Sequence, residues 1–108
     1  MAVAVESSGT QTATIGTEHS LAAPTTAGVR QLVVDLVNLV NGETVELRVK
    51  RPALSGGTIG TWVTAVYTHA QPEPLVLSVP IPSAVGATFT LKQTTGTGRA
   101  FPFAIETL

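Results

Sequence analysis

Two histidines are the first side chains in this 108-residue chain that could support chemistry. His19 follows a glutamate, and His69 lies far from it in the sequence, before a proline-rich stretch. A zinc site needs three or four converging ligands, and the chain has no HxH, HxxE or HExxH spacing. We therefore interpret both histidines as surface or strand-end residues and predict no metal site.

Paired carboxylates would be needed for hydrolysis, facing each other within roughly 5 to 10 Å. Glu43 and Glu46 are predicted to point to different faces of one strand. Asp35 interrupts an apolar run, and we expect its carboxylate to cap the following turn by accepting backbone N–H groups from Asn38 onward. Calcium ligation by Asp35, Asn38, Asn41 and Glu43 is a weaker alternative, because the segment lacks the alternating oxygen donors of a calcium loop.

Two glycine-rich loops, residues 56–60 and 96–99, superficially resemble phosphate-binding loops. Such a loop requires a strand before it and a helix N-terminus after it, so that the amides point at the phosphate. Neither loop opens a helical pattern, and both are interpreted as turns. The chain has no cysteine, so it has no thiolate nucleophile. We predict no catalytic residue and no cofactor, and therefore a protein that is not an enzyme.

Exposed aromatic rings could stack on sugars or nucleobases, but such a platform needs at least two rings together with cations. Trp62 and Tyr67 lie five positions apart on one predicted strand and face opposite sides. One is expected in the core and the other at an interface. The basic residues Arg48, Lys50 and Arg51 share their strand with Glu46, and the net charge is −1, so we predict no nucleic-acid partner.

The low charge also bears on possible partners. Charged residues make up 12% of the chain, against about 25% in ordinary globular domains. We interpret the weakly charged surface as one that touches other proteins. No stretch reaches the ~20 apolar residues of a membrane span, and the N-terminus lacks the basic region of a secretory signal. The protein is expected to act where it is made or to leave the cell within a larger particle.

The strongest structural signal is the dipeptide Asn41-Gly42 between two β-rich runs. It predicts an antiparallel hairpin, because both residues tolerate positive φ. In the second run Val45, Leu47 and Val49 alternate with polar residues, which predicts a half-buried strand. The turn is expected to be built by Asp35, Asn38, Asn41 and Gly42.

Proline and glycine punctuate the rest of the chain every 8 to 12 residues or so, as in all-β sandwiches. We predict an all-β fold with a single antiparallel sandwich of about seven or eight strands, either jelly-roll-like or immunoglobulin-like. Residues 1–17 are predicted to form an extended N-terminal arm that binds partners through Val3, Val5 and Ile15, and residues 18–108 to form the sandwich. Pro102 lacks an N–H, so the C-terminal strand is expected at a sheet edge or a bulge.

Three segments of this chain carry a resemblance to a known group of proteins. They are GTQTATIGTEH (9–19), VVDLVNLVNGETVELRVK (33–50) and LKQTTGTGRAFPF (91–103). Their order resembles small virion proteins of tailed bacteriophages, which we associate with capsid decoration or cement. The likeness covers nearly the whole chain past residue 9, but its motifs are structural, and no functional residue is carried over.

The resemblance implies a non-enzymatic virion structural protein on the outer surface of the capsid, made in the host cytoplasm. Its implied partners are the major capsid protein and sibling copies in a homo-oligomer such as a trimer, with neither nucleic acid nor membrane involved. It would bind across capsid subunit seams and stabilise the head. Two alternatives stay open: a head–tail connector or tail-associated structural protein, and a carbohydrate-binding or adhesive module with Trp62 or Tyr67 exposed in a cleft.

Overall fold

The computed structural model describes residues 3–108, which form nine antiparallel strands and no helix. Accordingly, the described part of the chain contains no helix of the length and hydropathy that a membrane span requires. The strands are β1 (Ala4–Thr12), β2 (Glu18–Ala22), β3 (Gly28–Asp35), β4 (Thr44–Pro52), β5 (Ile59–Thr68), β6 (Leu75–Leu77), β7 (Ile81–Ser83), β8 (Thr88–Gln93) and β9 (Ala100–Thr107).

The strands form two sheets. One has the order β1-β9-β3-β6, with β7 also pairing with β3, and the other has the order β2-β8-β4-β5. Without the three-residue β7, the chain has eight strands, and β8 and β9 become the seventh and eighth. In this count, strands 1, 8, 3 and 6 form one sheet and strands 2, 7, 4 and 5 form the other. This alternation between sheets is jelly-roll order. The predicted all-β sandwich is confirmed, with nine strands, and the topology favours the jelly-roll alternative over the immunoglobulin one.

The core lies between the two sheets and is built by alternating side chains. Val45, Leu47 and Val49 of β4 are all buried, which confirms the predicted half-buried strand. Phe89 and Phe101 are fully buried, one from each sheet. The other buried apolar residues are Ala13, Leu21, Leu32, Val34, Leu36, Leu39, Ile81, Ala87, Leu91 and Ile105.

The hairpin predicted at Asn41-Gly42 is wrong, because β3 and β4 belong to different sheets. The segment between them crosses the end of the sandwich, and Leu36 and Leu39 within it are buried in the core. A chain whose connection inserts two leucines between the sheets cannot fold straight back on itself. The hairpin that β4 does form joins it to β5, in the same sheet, through residues 53–58.

The connection from β8 to β9 likewise crosses between sheets instead of forming a hairpin loop. The expected edge position of β9 is also wrong, since β9 pairs with both β1 and β3. The β3 ladder ends at the Val34–Phe103 pair, so Pro102 is paired only with Thr10 of β1. The proline thus lies where one side of the ladder has already ended, which is why it is tolerated inside the sheet.

The N-terminal segment is not a separate arm in the structure. Residues 1 and 2 lie outside the described residues, but Ala4 to Thr12 form β1 and pair with β9 along its whole length. Arg30 of β3 is 2% exposed and its Nε donates to Glu6 at 2.6 Å. The Ala13 N–H donates to the Arg99 carbonyl at 2.8 Å and extends the ladder. Because β9 and Arg30 supply these partners, the segment orders within its own chain.

Candidate functional site

An apolar cleft opens along one side of the sandwich, between β5 of one sheet and the segment 75–79 of the other. Its volume is about 180 Å³. Alternation along β5 points Val63, Ala65 and Tyr67 into it, while Val76 faces it from the opposite sheet. Leu32, Leu47, Val49, Leu77, Ser78 and Val79 complete the lining. We call this feature the β5–β6 cleft.

The chain crosses from β5 to β6 through a short, strained connection. His69, directly after β5, has φ of 69°, a left-handed conformation that few non-glycine residues adopt. Its imidazole Nδ1 accepts the Gly42 N–H at 2.9 Å, and the Ala70 N–H donates to Asn41 Oδ1 at 3.2 Å. These bonds tie the crossover to the segment that contains Asn41-Gly42.

The opposite wall of the cleft is held by hydrogen bonds around Ser78. The Leu32 N–H donates to Ser78 Oγ at 2.9 Å, and the Ser78 N–H donates to the Leu32 carbonyl at the same distance. Gln31 Nε2 also donates to the Ser78 carbonyl, at 2.7 Å. The wall therefore continues past the three residues of β6.

Large apolar side chains are exposed on both strands that border the cleft. On β5 they are Ile59, Trp62 and Val66, and on the other wall Leu75, Leu77 and Val79. Val66, Leu77 and Val79 are each more than half exposed. Exposed apolar side chains of this size are enriched at protein-binding sites.

The outer edge of β5 also presents unpaired main-chain groups. The His69 N–H donates to the Glu43 carbonyl at 2.9 Å. Because bonded and non-bonded pairs alternate along an antiparallel ladder, every second residue of β5 directs its N–H and C=O away from β4. Thr64, Val66 and Thr68 are those residues, so their main-chain groups face the outer edge, where the Thr68 carbonyl accepts a hydrogen bond from Gln71 Nε2 at 3.1 Å.

Trp62 and Tyr67 lie on opposite faces of β5, as the sequence predicts. Tyr67 lines the cleft, whereas the Trp62 side chain is 48% exposed on the outer face. Trp62 is the extra residue of a bulge, because the register passes from Val49–Val63 to Lys50–Thr61. The Arg51 guanidinium lies 5.7 Å from the centre of the indole ring, within cation–π range.

The other predicted partner-binding residues lie at the far edge of the opposite sheet. Val3 and Val5 are both 59% exposed at β1, and Ile15 is exposed in the turn that follows β1. β1 and β6 are the two ends of their sheet. The structure therefore does not bring Val3, Val5 and Ile15 together with Trp62 and Tyr67, and instead separates two apolar edges.

The residues of the predicted structural turn make separate hydrogen bonds. Asp35 Oδ1 accepts the Val37 N–H at 3.0 Å, one residue earlier than the expected donor Asn38. Asn38 Nδ2 donates to the Ala100 carbonyl of β9 at 2.7 Å. Gly42 has φ of 89°, which suits glycine.

A buried polar cluster around Glu43 was missed by sequence reasoning. The Glu43 carboxylate is 3% exposed and accepts the Val40 and Thr97 N–H groups at 3.1 and 3.0 Å. Arg99 Nη2 donates to it at 3.0 Å. A Cβ at Gly96, whose φ is 86°, would collide with Glu43, so this position requires glycine. The sequence did contain a signal for this burial. Glu43 lies two residues before Val45, so the β4 alternation, extended toward the N-terminus, places it on the inward face.

Three carboxylates have a lowered pKa, and each is bound to a cation. A hydrogen bond from Arg99 lowers the pKa of Glu43, and one from Arg30 lowers the pKa of Glu6. The pKa of Glu18 is lowered by hydrogen bonds from Lys50, at 2.8 Å, and from Thr90. Each of these carboxylates is held ionised by an ion pair with a cation of the same chain. Residues 3–108 contain no group of three or more metal-ligating side chains.

In comparisons with known proteins, no family model, no curated protein and no solved structure matches the chain.

Proposed function

We propose that this chain is a non-enzymatic structural protein of a tailed-phage virion, a capsid decoration or cement protein that binds across subunit seams. The observation that carries the proposal is the pair of separated apolar edges. Val3 and Val5 lie at one edge, while Val66 on the outer face of β5 and Leu77 and Val79 beside the cleft are exposed at the other. A protein that links neighbours needs contact surfaces that point in different directions.

The distribution of charge supports the same function. Arg30, Lys50 and Arg99 are each engaged by a carboxylate of the chain itself. These ion pairs stabilise the sandwich, and the exposed apolar side chains are left for partners. Such a surface favours contacts through burial of apolar area.

The proposed mechanism is mechanical. Each copy buries modest apolar area against the major capsid protein, and repetition over the shell gives a large total stabilisation through multivalency. A copy that binds only the expanded shell stabilises that state by mass action. In this proposal the molecule works on the outer capsid surface together with sibling copies.

Copy number tests this proposal directly. The chain would be quantified by mass spectrometry against the major capsid protein in purified particles of the phage that encodes it. A ratio near one copy per capsid subunit, or a simple fraction of it, is expected. A ratio of only a few copies per particle would favour a head–tail or tail-associated protein, and absence from the particle would overturn the proposal.

A further inference from the structure

The four outer edges of the two sheets differ in how well they resist pairing with another strand. Natural edges are protected by charge, proline, bulges or short length. β1 carries a bulge between Val5 and Ser7 and the charge of Glu6, and the five-residue β2 carries Glu18. The edge formed by β6 and β7 consists of three-residue strands flanked by prolines.

β5 lacks most of this protection. It is ten residues long and contains neither a charged residue nor a proline. Its protective features are the bulge at Trp62, near its beginning, and Gln71, whose Nε2 donates to the Thr68 carbonyl at 3.1 Å. Beyond the bulge, residues 63–68 pair regularly with β4. Thr64, Val66 and Thr68 direct their main-chain groups to the open edge.

We infer that a second copy of the chain pairs its own β5 with this edge, antiparallel and across a twofold axis. The two four-stranded sheets then become one continuous sheet. This inference deepens the proposed function, because it names the surface through which sibling copies meet. A twofold strand pair is isologous and closes at two copies, so it gives a dimer in place of the trimer implied by the resemblance.

The chemistry of β5 fits a second copy. Beyond the bulge, its outer face presents Thr64, Val66 and Thr68, and its inner face Val63, Ala65 and Tyr67. In an antiparallel pair of β5 strands, the outer faces of the two copies lie on one side of the joined sheet and the inner faces on the other. Every residue of one strand is then opposite an uncharged residue of the other. Like charges directly opposite each other would destabilise the pair, and none occur in β5.

The size of this side also suits a dimer. Ten residues of strand extend for about 33 Å at ~3.3 Å per residue. The smallest dimension of the molecule is 19 Å. Their product is a projected area of about 600 Å², at the lower end of the ~600–1,000 Å² of accessible surface that each partner buries in a stable interface. Leu77 and Val79 border the cleft beside β5 and supply exposed apolar area to that surface.

Proline substitution at the edge tests the inference with a matched control. Thr64→Pro removes an N–H that points to the free edge of β5, so an isolated copy loses no ladder bond. Thr10→Pro is the control on β1. The Ala13 N–H donates to Arg99, and by alternation the Thr10 N–H also points away from its sheet. It lies opposite Pro102.

The purified full chain and both variants would be examined by sedimentation equilibrium from micromolar to millimolar concentration. We expect the wild type and Thr10→Pro to reach twice the chain mass of 11.1 kDa. Thr64→Pro should weaken dimerisation at least about tenfold, since the symmetry removes a hydrogen bond twice. Val66→Lys, which keeps the backbone N–H and adds a cation to the edge, serves as a second variant in case Thr64→Pro fails to fold.

Amide hydrogen exchange supplies a readout without any substitution. The Thr64, Val66 and Thr68 amides should gain protection as wild-type concentration rises, while the Thr10 amide should not. A wild type that stays monomeric, forms a trimer, or dimerises without protecting these amides would overturn the inference. Because these experiments use the isolated chain, such a result would leave incorporation into the virion as a separate question, decided by the copy number in particles.

Discussion

The two edge strands β1 and β5 both present exposed apolar side chains, yet they are built differently. β1 pairs with β9 along its length, and its Glu6 holds the buried Arg30. β5 pairs only with β4 and borders an apolar cleft. The first strand therefore completes the fold, and the second leaves main-chain groups and apolar side chains exposed.

This difference shows that exposure alone does not identify an interface. Val3 and Val5 are as exposed as Val66, but Val5 belongs to β1, whose removal would uncover β9, and Val3 directly precedes it. The distinction lies in what each strand does for its neighbours. This distinction between β1 and β5 is therefore best tested by variants whose folding stability and self-association are measured separately.

Deletion of residues 1–12 should have the largest effect. It removes all of β1 and leaves Arg30 buried without its carboxylate, so we expect the free energy of unfolding to fall by more than about 4 kcal/mol. Urea denaturation followed by circular dichroism would measure this. If the shortened chain unfolds at the same urea concentration as the full chain, β1 is an independent arm, as the sequence alone suggested.

Glu6→Ala should have the next largest effect. The substitution keeps the β1 ladder but leaves the Arg30 guanidinium with only the Thr26 carbonyl and hydroxyl as acceptors. We expect a loss of about 2 kcal/mol in the free energy of unfolding. Glu73→Ala, at an exposed glutamate in the connection before β6, is the matched control and should change the value by less than about 0.5 kcal/mol.

Acidification should weaken the same contacts in the intact chain. Glu6, Glu18 and Glu43 have folded-state pKa values below the ordinary 4.5, so the folded state binds fewer protons than the unfolded state. Their contribution is fully present above the unfolded-state pKa and is lost as pH falls through the folded values. Urea midpoints measured from neutral to acidic pH should decrease below about pH 4.5, and Glu6→Ala should lose less stability than the wild type over that range.

Substitutions on the β5 side should have the smallest effect on folding. Val66→Ser removes an exposed side chain, so the free energy of unfolding of the monomer should change by less than about 0.5 kcal/mol. Dimerisation should nevertheless weaken several-fold, because cross-strand pairs contribute about 0.2–1 kcal/mol each and symmetry doubles the loss. Dilute urea denaturation and sedimentation would measure the two quantities separately. A large loss of folding stability would contradict the division between the two edges.

Much of the local structure could be predicted from the sequence. Alternation placed Val45, Leu47 and Val49 inward and Trp62 opposite Tyr67, and the structure agrees. The turn-forming role of Asp35 was predicted from its interruption of an apolar run, although the donor is Val37. Such features depend on residues close in sequence, where side-chain direction follows directly from backbone period.

The candidate site could be predicted only in part. Trp62 and Tyr67 were recognised, but the cleft beside them depends on β6, which lies in the other sheet. The Glu43 cluster brings a carboxylate to Arg99 across more than half of the chain. No rule based on local residue spacing predicts a contact over such a distance. The contact forms only when the β3–β4 and β8–β9 connections, which contain Glu43 and Arg99, have both crossed between the sheets.

The sequence by itself determined the alternating apolar faces of strands such as β4 and that the chain forms an all-β sandwich, but not that Ala4–Thr12 is one of its strands. Only the tertiary structure decided which strands pair, because an alternating strand buries the same face whichever neighbour it joins. Asn41-Gly42 illustrates the limit. Its local preference for a turn is satisfied in the structure, but the burial of Leu36 and Leu39 directs the chain into the opposite sheet, since the apolar area they remove from water outweighs the preference for a hairpin.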